Sequence, residues 1–191
     1  MNNNEIKAIL CDFDGTLVDT SYANYKAYGQ ALEEVGLQIS YEEFDKIAFG
    51  KNWRQFLPQL LEIKSINADA EKIALRKQTI YANYKDKIKF NMPLWNLVSL
   101  MKKSVKTAIV TTASKQSIEA IIDTSKINQF FDLIICGNDV KNHKPAPDAY
   151  FLAAQNLGIE PKNCLVYEDS EIGIASATSA QMNVIKIQFP T

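Results

Sequence analysis

The chain has 191 residues, of which 47% are hydrophobic and 23% charged, and its formal net charge is -1. This composition is typical of a globular protein and excludes a largely disordered chain, because the apolar residues are numerous enough to form a core. The balanced charge argues against nucleic-acid binding. No apolar run reaches the ~18 residues that span a bilayer. We therefore expect neither a nucleic acid nor a membrane as a partner.

A short buried strand is the first predicted element. Residues 6–11 are apolar except for Lys7, and the run ends at Asp12. From about 19 to 91 the pattern is helical: a capping box begins at Ser40, Gly50 is a candidate helix end, and Asn67 is a candidate N-cap of a long helix. No strand is predicted in this segment.

After residue 91 the pattern alternates between strand and helix. Strands are predicted at 107–110, 133–136, 164–166 and 184–187, and helices at 94–101, 117–122, 149–157 and 172–180. Such alternation implies right-handed crossovers and a parallel sheet that helices cover on both faces. We therefore predict an α/β fold, with a Rossmann-like parallel-sheet core at 1–18 and 92–191 and an inserted all-helical domain at 19–91, each boundary holding to about four residues.

The three cysteines, Cys11, Cys136 and Cys164, lie in strand-like apolar runs. Because no C-x-x-C pair or histidine partner accompanies them, a disulfide framework or a zinc site is not expected. Buried free thiols suit a reducing compartment, and the N-terminus lacks a signal-like apolar segment. These features predict a cytoplasmic protein.

Reactive side chains follow the predicted strands at the edge where open parallel sheets bind ligands. In chain order they are Asp12 and Asp14, then Thr112, then Lys144, and finally Glu168 with Asp169. Singly, each could be a turn, cap or solvated residue. Their joint placement at successive strand ends favours a functional site.

The charges of this set predict a bound cation. Four carboxylates against one lysine would raise carboxyl pKa values unless a cation compensates, and oxygen ligands favour Mg²⁺ over zinc. The amino ends of the helices after Thr112 and Asp169 favour a phosphate. Asp12 and Asp14 share one face of an extended backbone, so one could touch phosphorus while the other reaches the leaving oxygen, and Gly15 permits a close backbone approach.

Four segments resemble the motifs of the haloacid dehalogenase superfamily, in the same order. They are the run DFDGTLVD at 12–19, Thr112 after a strand, KPAPD at 144–148 and YEDSEIGI at 167–174. The chain is most similar to the phosphoglycolate phosphatase and β-phosphoglucomutase-like group, and its helical insertion resembles that family's small cap domain.

The resemblance implies a role for each residue. Asp12 would be the nucleophile that forms an aspartyl-phosphate, and Asp14 would protonate the leaving alcohol and later deprotonate water. The implied phosphate-binding set is Gly15, Thr112, Ala113 and Lys144, and the implied Mg²⁺ set is Asp12, Asp14 through its carbonyl, Glu168 and Asp169. Lys51 and Arg54 lie in a segment that resembles the loop of the cap facing the site. They are candidates to select the far end of the substrate, and the alternative is that they are solvated helix charges.

The resemblance implies an Mg²⁺-dependent phosphatase that acts on a small phosphorylated metabolite. We expect the protein to be a monomer or weak dimer. The alternative is a phosphosugar mutase of the β-phosphoglucomutase type. Hydrolysis is favoured because the mutases carry a histidine where Asn24 stands, and because Thr16 is typical of the phosphatases. A receiver-type signalling module and an inactive binding relative are less consistent with the order and completeness of the motifs.

Overall fold

The computed structural model describes residues 5–48, 51, 53–122, 127 and 129–190. These divide into two compact units, one containing Met1–Asp19 with Lys89–Thr191 and the other containing Thr20–Ile88. Within the described residues, no helix has both the length and the apolar character needed to cross a membrane.

The first unit is built on a parallel sheet. Its strands are β1 (Ala8–Cys11), β4 (Lys106–Val110), β5 (Leu133–Ile135), β6 (Cys164–Glu168) and β7 (Asn183–Lys186), in the spatial order β5-β4-β1-β6-β7. The central strand β1 pairs with β4 on one side, where Leu10 lies opposite Ala108, and with β6 on the other. The predicted α/β fold with a parallel sheet is confirmed, and β1, β4 and β6 end side by side at one edge.

The helices of this unit are α5 (Met92–Met101), α6 (Lys115–Ile121), α7 (Asp148–Leu157) and α8 (Glu171–Ser179), with short 3₁₀ turns at Gly137–Asp139 and Pro161–Asn163. Helices α7 and α8 pack on one sheet face around a buried cluster that includes Leu10, Val110, Tyr150 and Val166. Burial of these side chains stabilises each by about 1.5–3 kcal/mol relative to exposure.

The second unit is helical. Its helices are α1 (Ser21–Glu33), α2 (Tyr41–Ala48), α3 (Trp53–Ile63) and α4 (Ala70–Tyr81), followed by a 3₁₀ turn at Ala82–Lys87. As predicted, Ser40 caps α2, since its Oγ accepts the Glu43 N–H at 3.2 Å. The predicted helix end at Gly50 lies outside the described residues.

Two expectations for the insertion were wrong in detail. The N-cap of α4 is Asp69 rather than Asn67, because Asp69 accepts the backbone N–H groups of the first turn. The segment predicted as free of strands ends in a short one: β3 (Lys89–Phe90) pairs antiparallel with β2 (Val18–Asp19). Two-residue strands are too short to show an alternating pattern in a sequence.

Candidate functional site

The site begins where β1 ends. Asp12 directly follows Cys11, the last residue of β1, and is only 8% exposed. The neighbouring strands β4 and β6 end beside it, so the residues after those strands lie close to its carboxylate.

Lys144 comes to Asp12 from the segment between β5 and α7. Its Nζ donates to Asp12 Oδ1 at 2.7 Å, to Glu168 Oε1 at 2.5 Å and to the Val110 carbonyl at 3.1 Å. An ammonium group has three protons, so these three acceptors use all of them and fix its orientation. Lys144 is therefore a buried, anchored cation rather than a solvated side chain.

Glu168, the last residue of β6, is fully buried and its carboxylate is fully hydrogen-bonded. Oε1 accepts from Lys144 and from the Tyr150 hydroxyl at 3.1 Å. Oε2 accepts from the N–H and the hydroxyl of Ser170, at 3.2 and 3.0 Å. Because a carboxylate has about four acceptor positions, Glu168 could bind a cation directly only by giving up one of these bonds.

Asp169 completes an acidic cluster. Carboxylate oxygens of Asp12, Glu168 and Asp169 all lie within 4.8 Å of one another. The Thr16 hydroxyl donates to Asp169 Oδ1 at 3.1 Å. Gly15 has φ +86°, and a Cβ on it would lie 2.2 Å from Asp169 Oδ2, so glycine is required there both for the backbone conformation and for the space.

Burial and mutual repulsion oppose ionisation of Asp12 and Asp169. The pKa of Asp12 is raised to about 8, with burial as the largest cause, the Lys144 charge acting against it, and the Glu168 and Asp169 charges adding to it. Burial, followed by the charge of Glu168, also raises the pKa of Asp169. The pKa of Lys144 is raised because attraction to Asp12 and Glu168 outweighs its burial.

These observations fit a divalent cation. Three carboxylates face one ammonium, which leaves an excess of negative charge in a largely buried place. The donors are all oxygens, as hard cations such as Mg²⁺ prefer, and neither cysteine nor histidine is part of the cluster.

The remaining predicted residues of the first unit lie at the same edge. Asp14 is exposed and forms an isolated bridge with Val18. Thr112 is exposed just beyond β4, and the Ala113 N–H, predicted to bind phosphate, donates to Thr111 Oγ1 at 3.0 Å. This N–H could contact a phosphate only by sharing or releasing that bond.

The two candidate specificity residues belong to the helical unit. Lys51 is exposed, and Arg54 is exposed with its guanidinium 4.4 Å from the centroid of the Trp53 ring. Stacking on an aromatic ring restrains the arginine side chain. Three other residues of the same segment, 49–54, lie outside the described residues: Phe49, Gly50 and Asn52.

Two residues of the site had no predicted role there. Tyr150 was expected only as part of a helix, although a tyrosine on the apolar face of a core helix must find a partner for its hydroxyl, which is a usable signal. Ser170 lies in the fourth motif at 167–174 but was given no individual role. It is the N-cap of α8, accepting the Gly173 N–H at 3.1 Å, and it also donates to Glu168.

The fold and this site together define a hydrolase class. Residues 9–187 match the family model of the haloacid dehalogenase-like hydrolases, and the chain belongs to this family. The recognised resemblance is thereby confirmed.

Three similar proteins span the family's phosphatases and mutases. The fructose-1-phosphate phosphatase of Escherichia coli is 28% identical over 95% of this chain and 96% of its own length. A phosphorylated carbohydrates phosphatase of Thermotoga maritima is 28% identical over 92% of this chain and 82% of its own. The crystal structure of a β-phosphoglucomutase from Clostridium difficile has a TM-score of 0.74 and 27% identity, covering 95% of this chain and 84% of that one.

Proposed function

We propose that the protein is an Mg²⁺-dependent phosphatase that hydrolyses a small phosphorylated sugar through an aspartyl-phosphate on Asp12. The observation that carries this proposal is the position of the Asp12 carboxylate. It lies at the end of the central strand, 2.7 Å from the Lys144 ammonium and within 4.8 Å of the carboxylates of Glu168 and Asp169. A carboxylate in this setting is oriented to act as a nucleophile toward phosphorus.

The first chemical step transfers the phosphoryl group to Asp12. Lys144 holds Oδ1, so Oδ2 is the atom that forms the new bond to phosphorus. The bond between phosphorus and the ester oxygen of the substrate breaks, and the leaving oxygen takes a proton from Asp14. The positive charge of Lys144 offsets part of the repulsion between the carboxylates of the site and the incoming phosphate, which are all negatively charged.

The second step regenerates the enzyme. A water molecule attacks phosphorus while Asp14 accepts its proton, and the acyl-phosphate bond to Asp12 breaks to release inorganic phosphate. Asp14 is exposed, as a group that exchanges protons with water and substrate must be. Thr112 and the backbone at Gly15 and Ala113 are the proposed phosphate contacts, with Ala113 exchanging its bond to Thr111 for one to the phosphate.

Asp12, Asp169 and the Asp14 carbonyl are the proposed direct ligands of Mg²⁺. Glu168 adds its charge to the site and would ligate only on losing one of its hydrogen bonds. When bound, Mg²⁺ supplies charge neutralisation for the phosphate and for the carboxylates around it. Thr16 orients Asp169 for this task through its hydroxyl.

The proposed substrate is a sugar phosphate, since two full-length relatives are named as phosphatases of fructose 1-phosphate and of phosphorylated carbohydrates. Lys51 and Arg54 are proposed to select its distal end. The three cysteines are free and buried, which suits the proposed cytoplasmic location. The proposed assembly is a monomer or weak dimer.

The test is release of inorganic phosphate from a panel of sugar phosphates that includes fructose 1-phosphate. We expect Mg²⁺-dependent release by the wild type, and none with EDTA or with Asp12→Asn. Phosphorus NMR of glucose 1-phosphate supplied with a sugar bisphosphate distinguishes hydrolysis from mutase action, because a mutase regenerates the bisphosphate. Absence of release from the whole panel would refute the proposed function.

A further inference from the structure

Tyr150 places a phenol in the apolar core of the first unit. It lies on α7, is fully buried, and packs in the cluster that contains Leu10, Val110 and Val166. Phenylalanine would fill this space without the cost of burying a hydroxyl. The hydroxyl is compensated by one bond, to Glu168 Oε1 at 3.1 Å.

Tyr150 also contacts the cation of the site. The Lys144 Nζ lies 4.9 Å from the centroid of the Tyr150 ring, within the range of a cation–π interaction. The same nitrogen shares Glu168 Oε1 with the Tyr150 hydroxyl. One side chain therefore contacts both partners of the Lys144–Glu168 ion pair.

The position of Lys144 depends on how two carboxylates compete for it. Its ammonium lies between Asp12 Oδ1 and Glu168 Oε1, and the Val110 carbonyl takes the third proton. A hydrogen bond from Tyr150 occupies part of the acceptor capacity of Oε1 and lowers the attraction of this oxygen for Lys144. Nζ is already 2.5 Å from Oε1, so loss of the hydroxyl would act by letting the Glu168 carboxylate shift, and the ammonium that it holds would be drawn away from Asp12.

We propose that Tyr150 is a positioning residue of this site, which holds Glu168 and Lys144 so that the ammonium stays against the Asp12 carboxylate. This inference rests on the proposed function for its kinetic consequence. We expect Tyr150 to affect kcat rather than KM. It is buried away from substrate and acts on the nucleophile Asp12 through Lys144. The alternative is that the hydroxyl only satisfies buried Glu168 and contributes to folding alone.

The first experiment compares Tyr150→Phe with Tyr167→Phe. Tyr167 is a buried tyrosine on the neighbouring strand β6, one residue before Glu168, and so makes a matched control for loss of a hydroxyl. We expect kcat of Tyr150→Phe to fall by about tenfold, as for loss of a hydrogen bond to a charged group, with KM changed by less than about twofold. Tyr167→Phe should keep the wild-type kcat, and equal kcat values for the two variants would overturn the inference.

A double-mutant cycle tests whether Tyr150 acts through Glu168. In a Glu168→Gln background, we expect Tyr150→Phe to have no further effect on kcat, because the hydroxyl then has no carboxylate to modulate. An effect of the same size in both backgrounds would contradict the inference and favour a purely structural tyrosine.

A measurement without substrate separates this inference from the proposed function. With isotope-labelled lysine, NMR follows the buried Lys144 ammonium, assigned by its loss in Lys144→Arg. We expect its resonance to move in Tyr150→Phe and to stay in place in Tyr167→Phe, and an unmoved resonance in both would overturn the inference. If the wild type releases no phosphate while the resonance moves as expected, the proposed function fails and the positioning of Lys144 stands.

Discussion

Gly173 leaves the space that the Glu168 carboxylate occupies. A Cβ built on Gly173 would lie 1.8 Å from Glu168 Oε1, so the first turn of α8 can pack on Glu168 only because residue 173 has no side chain. This close approach also lets Ser170, the N-cap of α8, donate to Glu168 while accepting the Gly173 N–H.

We therefore expect Gly173→Ala to impair the site. The added methyl group would overlap the Glu168 carboxylate and disturb its hydrogen bonds to Lys144 and Ser170. We expect a loss of stability of about 1–3 kcal/mol from overpacking and a fall in kcat of at least about tenfold. Gly29→Ala is the matched control, because Gly29 is also helical and a Cβ there meets nothing within 4 Å. It should stabilise the protein by about 0.5–1 kcal/mol. Urea unfolding and steady-state kinetics measure both variants, and a Gly173→Ala protein as active as the wild type would show that Glu168 can move without consequence.

Mg²⁺ should stabilise the folded protein through Asp169. At about one hundred times its dissociation constant, an ion that binds only the folded state adds about 2.7 kcal/mol, which corresponds to a rise in Tm of about 5–10 °C for a chain of this size. Asp169→Asn should lose most of this rise. Asp45→Asn, which makes the same change on α2 in the helical unit, should keep it. Thermal unfolding with and without Mg²⁺ measures this rise in Tm. An equal rise in the wild type and both variants would show that the ion binds away from Asp169.

Asp132 should stabilise the sheet at neutral pH. Its Oδ2 accepts the Thr107 N–H at 2.9 Å and the Thr107 hydroxyl at 3.3 Å, beside the start of β4. Burial opposes ionisation of Asp132, but these bonds and the charge of Lys102 outweigh it and lower its pKa. We expect Asp132→Ala to lose about 1–3 kcal/mol of unfolding free energy at pH 7.

The sign of the pH dependence follows from the lowered pKa. The stabilisation by Asp132 is fully present above its unfolded-state pKa of about 3.9 and is lost as the pH falls through the lower pKa of the folded state. The difference between wild type and Asp132→Ala should therefore shrink below about pH 4. Urea unfolding at several pH values measures it, and a difference that stayed constant into this acid range would contradict an ionic origin.

The sequence alone predicted the parallel sheet and the acidic cluster at its edge. Apolar runs such as the one before Asp12 predicted the strands, and the order of the strands brought Asp12, Lys144 and Asp169 to one edge, because parallel strands end on the same side. Spacing along the chain could not show which oxygen each proton binds. It could not predict that Glu168 has all its acceptor positions filled, or that Tyr150 supplies one of the donors.

The helical unit was less predictable in its details. Both Asn67 and Asp69 are residues that cap helices, and only the backbone conformation at Asp69 decides between them. The strand pair of Val18–Asp19 with Lys89–Phe90 depends on a contact between residues far apart in the chain, for which two residues give no sequence pattern.

The most direct test of the proposed chemistry is to trap the phosphorylated enzyme. The protein is mixed with a sugar phosphate that it hydrolyses, quenched in acid within the first turnover, digested and examined by mass spectrometry. We predict one phosphoryl group on the peptide that contains Asp12, and none in Asp12→Asn. Steady turnover with Asp12 unmodified at every quench time, or undiminished phosphate release by Asp12→Asn, would contradict a covalent role for this carboxylate.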